Sequence, residues 1–233
     1  MKFYELENIV SEERLQRYCM ACDGNKAKAL ILYRYNIRAS LDMFAIVGAF
    51  EIALRNSIDK VMSQKFGPDW LRDAVTPGGI FDVPQCRDHA RIIRTAYEKL
   101  LWQHRYTHTH LLSKMEFGIW KYMFSSPQYR AAGRILLRVF PDKPPTTRDV
   151  QYNNTYIFNE LDHVNSLRNR IAHHEPICFP TGFASITTFY IEFIYNKIVT
   201  LFRWLGIDPD VYLYGINRIS DTCDRINNLK RLQ

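Results

Sequence analysis

From Leu41 onward, residues of one kind of face recur at alternating three- and four-residue steps: Leu41, Phe44, Gly48, Glu51, Arg55, Ile58 and Met62. At about 100° per residue that spacing closes on a single helix face. Glu51 and Arg55 are the two polar interruptions of it, either as an i, i+4 ion pair or because something else needs the carboxylate. The same periodicity governs the rest of the chain. Ser11 can cap a first helix whose opening turn carries Glu12 and Glu13, where the macrodipole favours acids. A second run spans Lys26 to Asn36, and a third runs from Ser40 to Gln64, closed by Gly67-Pro68. Further helices fit 86–104, 113–124 (capped by Ser113), the stretch "SPQYRAAGRILLRVF" with Pro127 at its first position, 148–174, 184–204 and 217–230. Residues 73–84 and "PDKPP" at 141–145 are breaks, and Pro176 and Pro180 end the helix before them. No stretch alternates apolar and polar residues long enough to read as a strand. The expected class is all-α.

At 233 residues the chain fits one domain, 1–233, with 184–233 a C-terminal helical extension. A hydrophobic fraction of 47% excludes a disordered chain. The start, "MKFYELENIV", is too polar for a signal peptide, and the longest apolar stretches, such as "MFAIVGAF", are core-sized rather than membrane-sized. The five cysteines, Cys19, Cys22, Cys86, Cys178 and Cys223, are odd in number and scattered, which suits a reducing compartment. A cytoplasmic protein that does not engage membrane is expected. Its 31 basic and 24 acidic residues give a net charge of +7, a bias toward polyanions.

Metal chemistry finds little support. Cys19-x-x-Cys22 is half of a zinc site, and His108-x-His110 lies too far along the chain to complete it convincingly. His173-His174-Glu175 contains the H-x-E of a zinc deaminase, but Thr181 stands where the second cysteine of the partner motif belongs. No metal and no cofactor is expected. Arg130, Arg134 and Arg138, at i, i+4 and i+8, make a basic stripe on a helix, read either as a solvated face or as a track for RNA phosphates.

The densest chemistry is "SLRNRIAHHEPIC", residues 166–178. On a helix Asn169 shares a face with His173, and Arg170 with His174; Arg168 lies a turn and a half from His173, within reach of a long side chain. The negative end of a helix favours imidazolium, and histidine titrates near neutrality. Arginines beside proton carriers can hold a phosphate bidentately while the 2′-hydroxyl of RNA acts as its own nucleophile. The same residues could also be a polar helix end with a histidine over the last carbonyls.

"LRNRIAHHEP" (167–176) resembles the R-N-x-x-x-H signature of the HEPN superfamily, and specifically its Abi-like, abortive-infection members. The resemblance extends to Leu32, Tyr33 and Asn36 as an L-Y-x-x-N element, to "EIALRNSIDKVMSQKFGPDWL" (51–71) and to "MEFGIW" (115–120), covering about residues 11 to 180. It implies an HEPN-type helical bundle with additional helices, a homodimer, and metal-independent endoribonuclease activity of a phage-defence or toxin–antitoxin kind, with RNA as substrate and an antitoxin as a regulatory partner. Carried over by position, it implies Arg168, Asn169 and His173 as catalytic residues, His174 as a second proton carrier and Glu51 as a brace for the motif arginine. Apart from the resemblance, their charge makes Arg170, Arg130, Arg134 and Arg138 the expected RNA contacts. A non-catalytic HEPN module that binds RNA or a protein is the alternative.

Overall fold

The computed structural model describes residues 2–231, and every regular element in it is helical. The α-helices are α1 (Phe3–Val10), α2 (Glu12–Ala21), α3 (Lys26–Phe66), α4 (Trp70–Asp73), α5 (Arg87–Trp102), α6 (His108–Ser113), α7 (Phe117–Tyr122), α8 (Ser126–Ala131), α9 (Asn154–Ala172), α10 (Phe189–Trp204), α11 (Pro209–Tyr212) and α12 (Ile219–Arg231). Short 3-10 turns occupy Pro84–Cys86 and Leu136–Val139. The fold is all-α, as the periodicity required. No helix among the described residues is long and apolar enough to cross a membrane.

Short side chains set several boundaries. The Ser11 side chain accepts from Arg14 N, so Ser11 caps α2 as expected. Asn25 Oδ1 accepts from Lys28 N at 3.1 Å and opens α3. That helix then runs unbroken through Ser40, so the two runs expected there are one helix of 41 residues, roughly 60 Å long. Nothing from Lys26 to Val47 is proline or glycine, and a lone serine does not stop a helix that is packed along its length. The apolar face read from the spacing is buried only in part. Ile58 and Met62 are fully buried, but Leu41 and Phe44 are 59% and 51% exposed, and Met43, Ile46, Val47 and Phe50 are buried instead.

Other boundaries move for local reasons. Ser113 closes α6 rather than capping a helix; Thr107 is the cap, accepting from His110 N at 3.1 Å. Residues 148–153 are not helical, because Thr147 and Val150 bond to each other and Asn153 Oδ1 caps α9 through Tyr156 N. The basic stripe does not form. α8 stops at Ala131, and Gly133 and Arg134 take left-handed conformations, φ +71° and +59°. Glycine suits the left-handed φ at 133, and a Cβ there would also require the flexible end of the Lys65 side chain to move. Arg130, Arg134 and Arg138 are all exposed, but on a helix, a left-handed turn and a 3-10 turn respectively.

The contacts gather into two compact units, each with its own core. The first comprises residues 2–48, 166–199 and 210–231. Its core includes Leu15, Leu32, Met43, Leu167, Phe179, Ile194 and Ile226, with Tyr18 edge-on to Tyr33 and Phe179. The second comprises residues 49–165 and 200–209. There Phe50 packs against Phe117 and Phe202, and Trp70, Phe81, Trp120, Phe124 and Leu161 are buried. Residues 184–199 and 210–231 of the expected C-terminal extension thus belong to the same unit as the N-terminal helices.

Candidate functional site

The charged stretch lies in the first unit, at the C-terminal end of α9. Helical bonding continues to His173, whose N–H donates to Asn169 O at 2.9 Å. His174 then turns left-handed at φ +57°, its N–H donating to Ile171 O and the Glu175 N–H to Arg170 O at 2.8 Å. This is a Schellman closure with histidine in the place usually given to glycine or asparagine. A β-carbon there costs about 1 kcal/mol or more, so the closure is held by something other than local preference. His174 is thus not helical, so the helical spacing that put it on one face with Arg170 does not apply to it.

The residues that hold the turn come from α2, α3 and α9 itself. Arg14 Nη2 donates to His174 O at 2.6 Å. Arg17 donates to the carbonyls of Pro180 and Phe183, with its guanidinium carbon 5.0 Å from the Phe179 ring centre. Asn36, buried on α3, accepts at Oδ1 from Ile177 N at 2.8 Å and Cys178 N at 3.2 Å. Arg170 donates to the carbonyls of Pro176 and Phe179, reaches Glu175 at 3.5 Å and lies over the Tyr190 ring. Arg170, expected at an RNA surface, is thus a clasp over the segment that follows the histidines. Buried carbonyls and amides outside regular structure need such partners.

What this clasp presents outward is the set of motif side chains. His173 and His174 are exposed; Arg168 is half-buried, with Nη1 3.5 Å from Asn169 Oδ1. Beside His174 a cavity of about 460 Å³ opens, lined by Arg14, Tyr33 and Ser40 and by the exposed apolar side chains of Leu41 and Phe44. Glu51 is half-buried on α3 in the second unit, and Arg130, Arg134 and Arg138 belong to that unit as well.

Arg14, Arg17 and the amide-gripping role of Asn36 escaped the sequence reading. The available signal was Arg14-x-x-Arg17 on one face of α2, but their acceptors are backbone carbonyls more than 150 residues away.

The other clusters have structural partners. His108 Nε2 lies 2.7 Å from Asp59 Oδ1, which also accepts from Trp70 Nε1 at 2.7 Å and Ser63 Oγ at 3.2 Å. His110 Nδ1 lies 2.7 Å from Arg105 O. Cys22 and Cys178 are buried, and burial pushes both thiols up, away from the reactive thiolate. Among the described residues no group of three His, Cys, Asp or Glu side chains is placed to hold a metal ion. No family model, curated protein or solved structure matches the chain.

Proposed function

We propose that the chain is a metal-independent endoribonuclease that cleaves RNA at the end of α9, in the manner of the Abi-like HEPN proteins its motifs resemble. The observation that carries this reading is two adjacent exposed histidines beside a paired Arg168 and Asn169, on a turn fixed by Arg14, Arg17, Asn36 and Arg170. Fixing a strained turn so that it displays proton carriers is what a catalytic group needs and a passive helix end does not.

In the proposed reaction the RNA 2′-oxygen attacks the adjacent phosphorus while an imidazole takes the hydroxyl proton. The bond from phosphorus to the 5′-oxygen breaks, and that oxygen receives a proton from an imidazolium. The products are a 2′,3′-cyclic phosphate and a 5′-hydroxyl, with no other reactant consumed. His173 is assigned as the principal proton carrier and His174 as the second. The Arg168 guanidinium neutralises the phosphorane, and Asn169 orients it. The cavity beside His174 gives room for a nucleotide flanking the cleaved bond. A homodimer, and an antitoxin as regulatory partner, belong to the same proposal.

Alanine substitution separates this reading from that of a module that only binds. His173→Ala is expected to abolish cleavage of single-stranded RNA while leaving the circular-dichroism spectrum and RNA affinity unchanged. A folded His173→Ala protein that still cleaves would remove the residue from its assigned role. RNA binding without cleavage by the parent would favour the binding module.

A further inference from the structure

We propose a second ligand site in the first unit, away from the histidines: a pocket for a phosphate group, built by Arg38 on α3, by Arg218 just before α12 and by Arg225 within α12. The three guanidiniums line one concavity of about 370 Å³, together with Tyr35, Thr222 and Asp221. It shares no lining residue with the cavity beside His174. The rotation of α3 explains the separation, since Tyr33, Asn36, Ile37 and Ser40 face one way while Tyr35, Arg38 and Asp42 face another.

The pocket has an internal support. Asp42 is only 5% exposed and accepts from Thr222 Oγ1 at 2.7 Å, tying α3 to α12. The same carboxylate holds Arg38 through Nε, 3.0 Å from Oδ1. That contact leaves the two Nη groups of Arg38 for a ligand and fixes the plane of the fork. Among the described residues no ion pair or hydrogen bond engages the guanidiniums of Arg218 and Arg225 or the Tyr35 hydroxyl. Two uncommitted guanidiniums, a third held by a buried carboxylate and a free phenol are donors without acceptors. Asp221 is the single acid in the lining. A tetrahedral oxyanion with several acceptor oxygens, carried by a phosphate ester, satisfies that set.

Such a phosphate reaches the protein either in a free nucleotide or in the backbone of an RNA strand. Both can be measured without any cleavage, so the outcome is independent of the nuclease proposal. The test uses the full-length His173→Ala protein, with ATP, inorganic pyrophosphate and single-stranded RNA titrated separately by calorimetry at low salt. The variant Arg218→Ser/Arg225→Ser is compared with Arg91→Ser/Lys60→Ser, which removes equal charge from exposed positions elsewhere.

The expected result is saturable binding weakened about tenfold or more by the Arg218/Arg225 pair and little by the control, the loss expected for a strong charge-assisted contact. If ATP and pyrophosphate show this loss, the phosphate comes from a free nucleotide. If only RNA shows it, with a shallower dependence of affinity on salt in the variant, the phosphate belongs to a strand. Equal losses in both charge-matched variants, or no saturable binding of any of the three probes, would overturn the site.

Discussion

His89 gives a pH dependence whose size can be worked from its surroundings. The residue sits on α5, 5% exposed, with Phe81 edge-on at 5.0 Å and its Nε2 lacking a hydrogen-bond partner among the described residues. Burial alone pushes its pKa down from 6.5 to about 4. A depressed histidine is mostly neutral in both states at pH 7 and costs only about 0.2 kcal/mol there. As pH falls below 6.5 the unfolded chain takes up a proton that the folded chain refuses, so stability is lost until the folded pKa is reached. From the two pKa values the loss is about 2 kcal/mol at pH 5 and about 3 kcal/mol at pH 4. His89→Leu keeps a similar volume, removes the proton site and also removes a buried unsatisfied nitrogen. The variant should therefore match or slightly exceed the parent at pH 7, and the difference should widen by about 2 kcal/mol at pH 5. Urea unfolding followed by tryptophan fluorescence at pH 7, 6 and 5 measures this, and subtracting the variant cancels the other titrating groups. A difference that stays constant from pH 7 to 5 would refute the reasoning, because His89 would then titrate normally inside the fold.

Three further outcomes follow from named contacts. Asn36→Leu leaves the amides of Ile177 and Cys178 buried without an acceptor, so denaturant unfolding should show a loss of about 2 kcal/mol or more. Asp59 is raised by partial burial but lowered further by hydrogen bonds from His108 and Trp70, and its net pKa is lowered. Its contribution is present above the ordinary carboxylate range and lost as pH falls through the folded value, so Asp59→Asn should flatten the acid limb of the stability profile below about pH 4. Arg14→Ala removes the guanidinium on the His174 carbonyl while leaving both histidines in place. RNA cleavage, if it depends on a fixed turn, should fall by about tenfold or more, measured as initial rate on a labelled oligonucleotide.

The helical class was legible because its signal is local: apolar spacing, Ser11 before Glu12 and Glu13, and the prolines after His174. The edges were less so. Ser40 reads as the start of a new helix only if the run from Lys26 ends at Asn36, whereas α3 carries straight through both. The arginine stripe failed where α8 ends at Ala131 and Gly133 and Arg134 both turn left-handed. At the site, the motif residues were readable as a string, but their support was not. Arg14, Arg17 and Asn36 act on backbone atoms of a segment some 140 to 166 residues further along. No periodicity carries information across that distance. The reassignment of Arg170 from open surface to clasp has the same origin, since its acceptors exist only once the chain has turned back after Pro176.

The central claim, that the end of α9 cleaves RNA through its own side chains and the substrate's 2′-hydroxyl, is tested most directly by the chemistry of the ends it leaves. Purified protein and its His173→Ala variant would be incubated with mixed cellular RNA in EDTA, and the fragments scored for their 3′ termini. The account predicts 2′,3′-cyclic phosphate ends from the parent and intact RNA from the variant. Fragments ending in 3′-hydroxyls, or equal cleavage by both proteins, would contradict it.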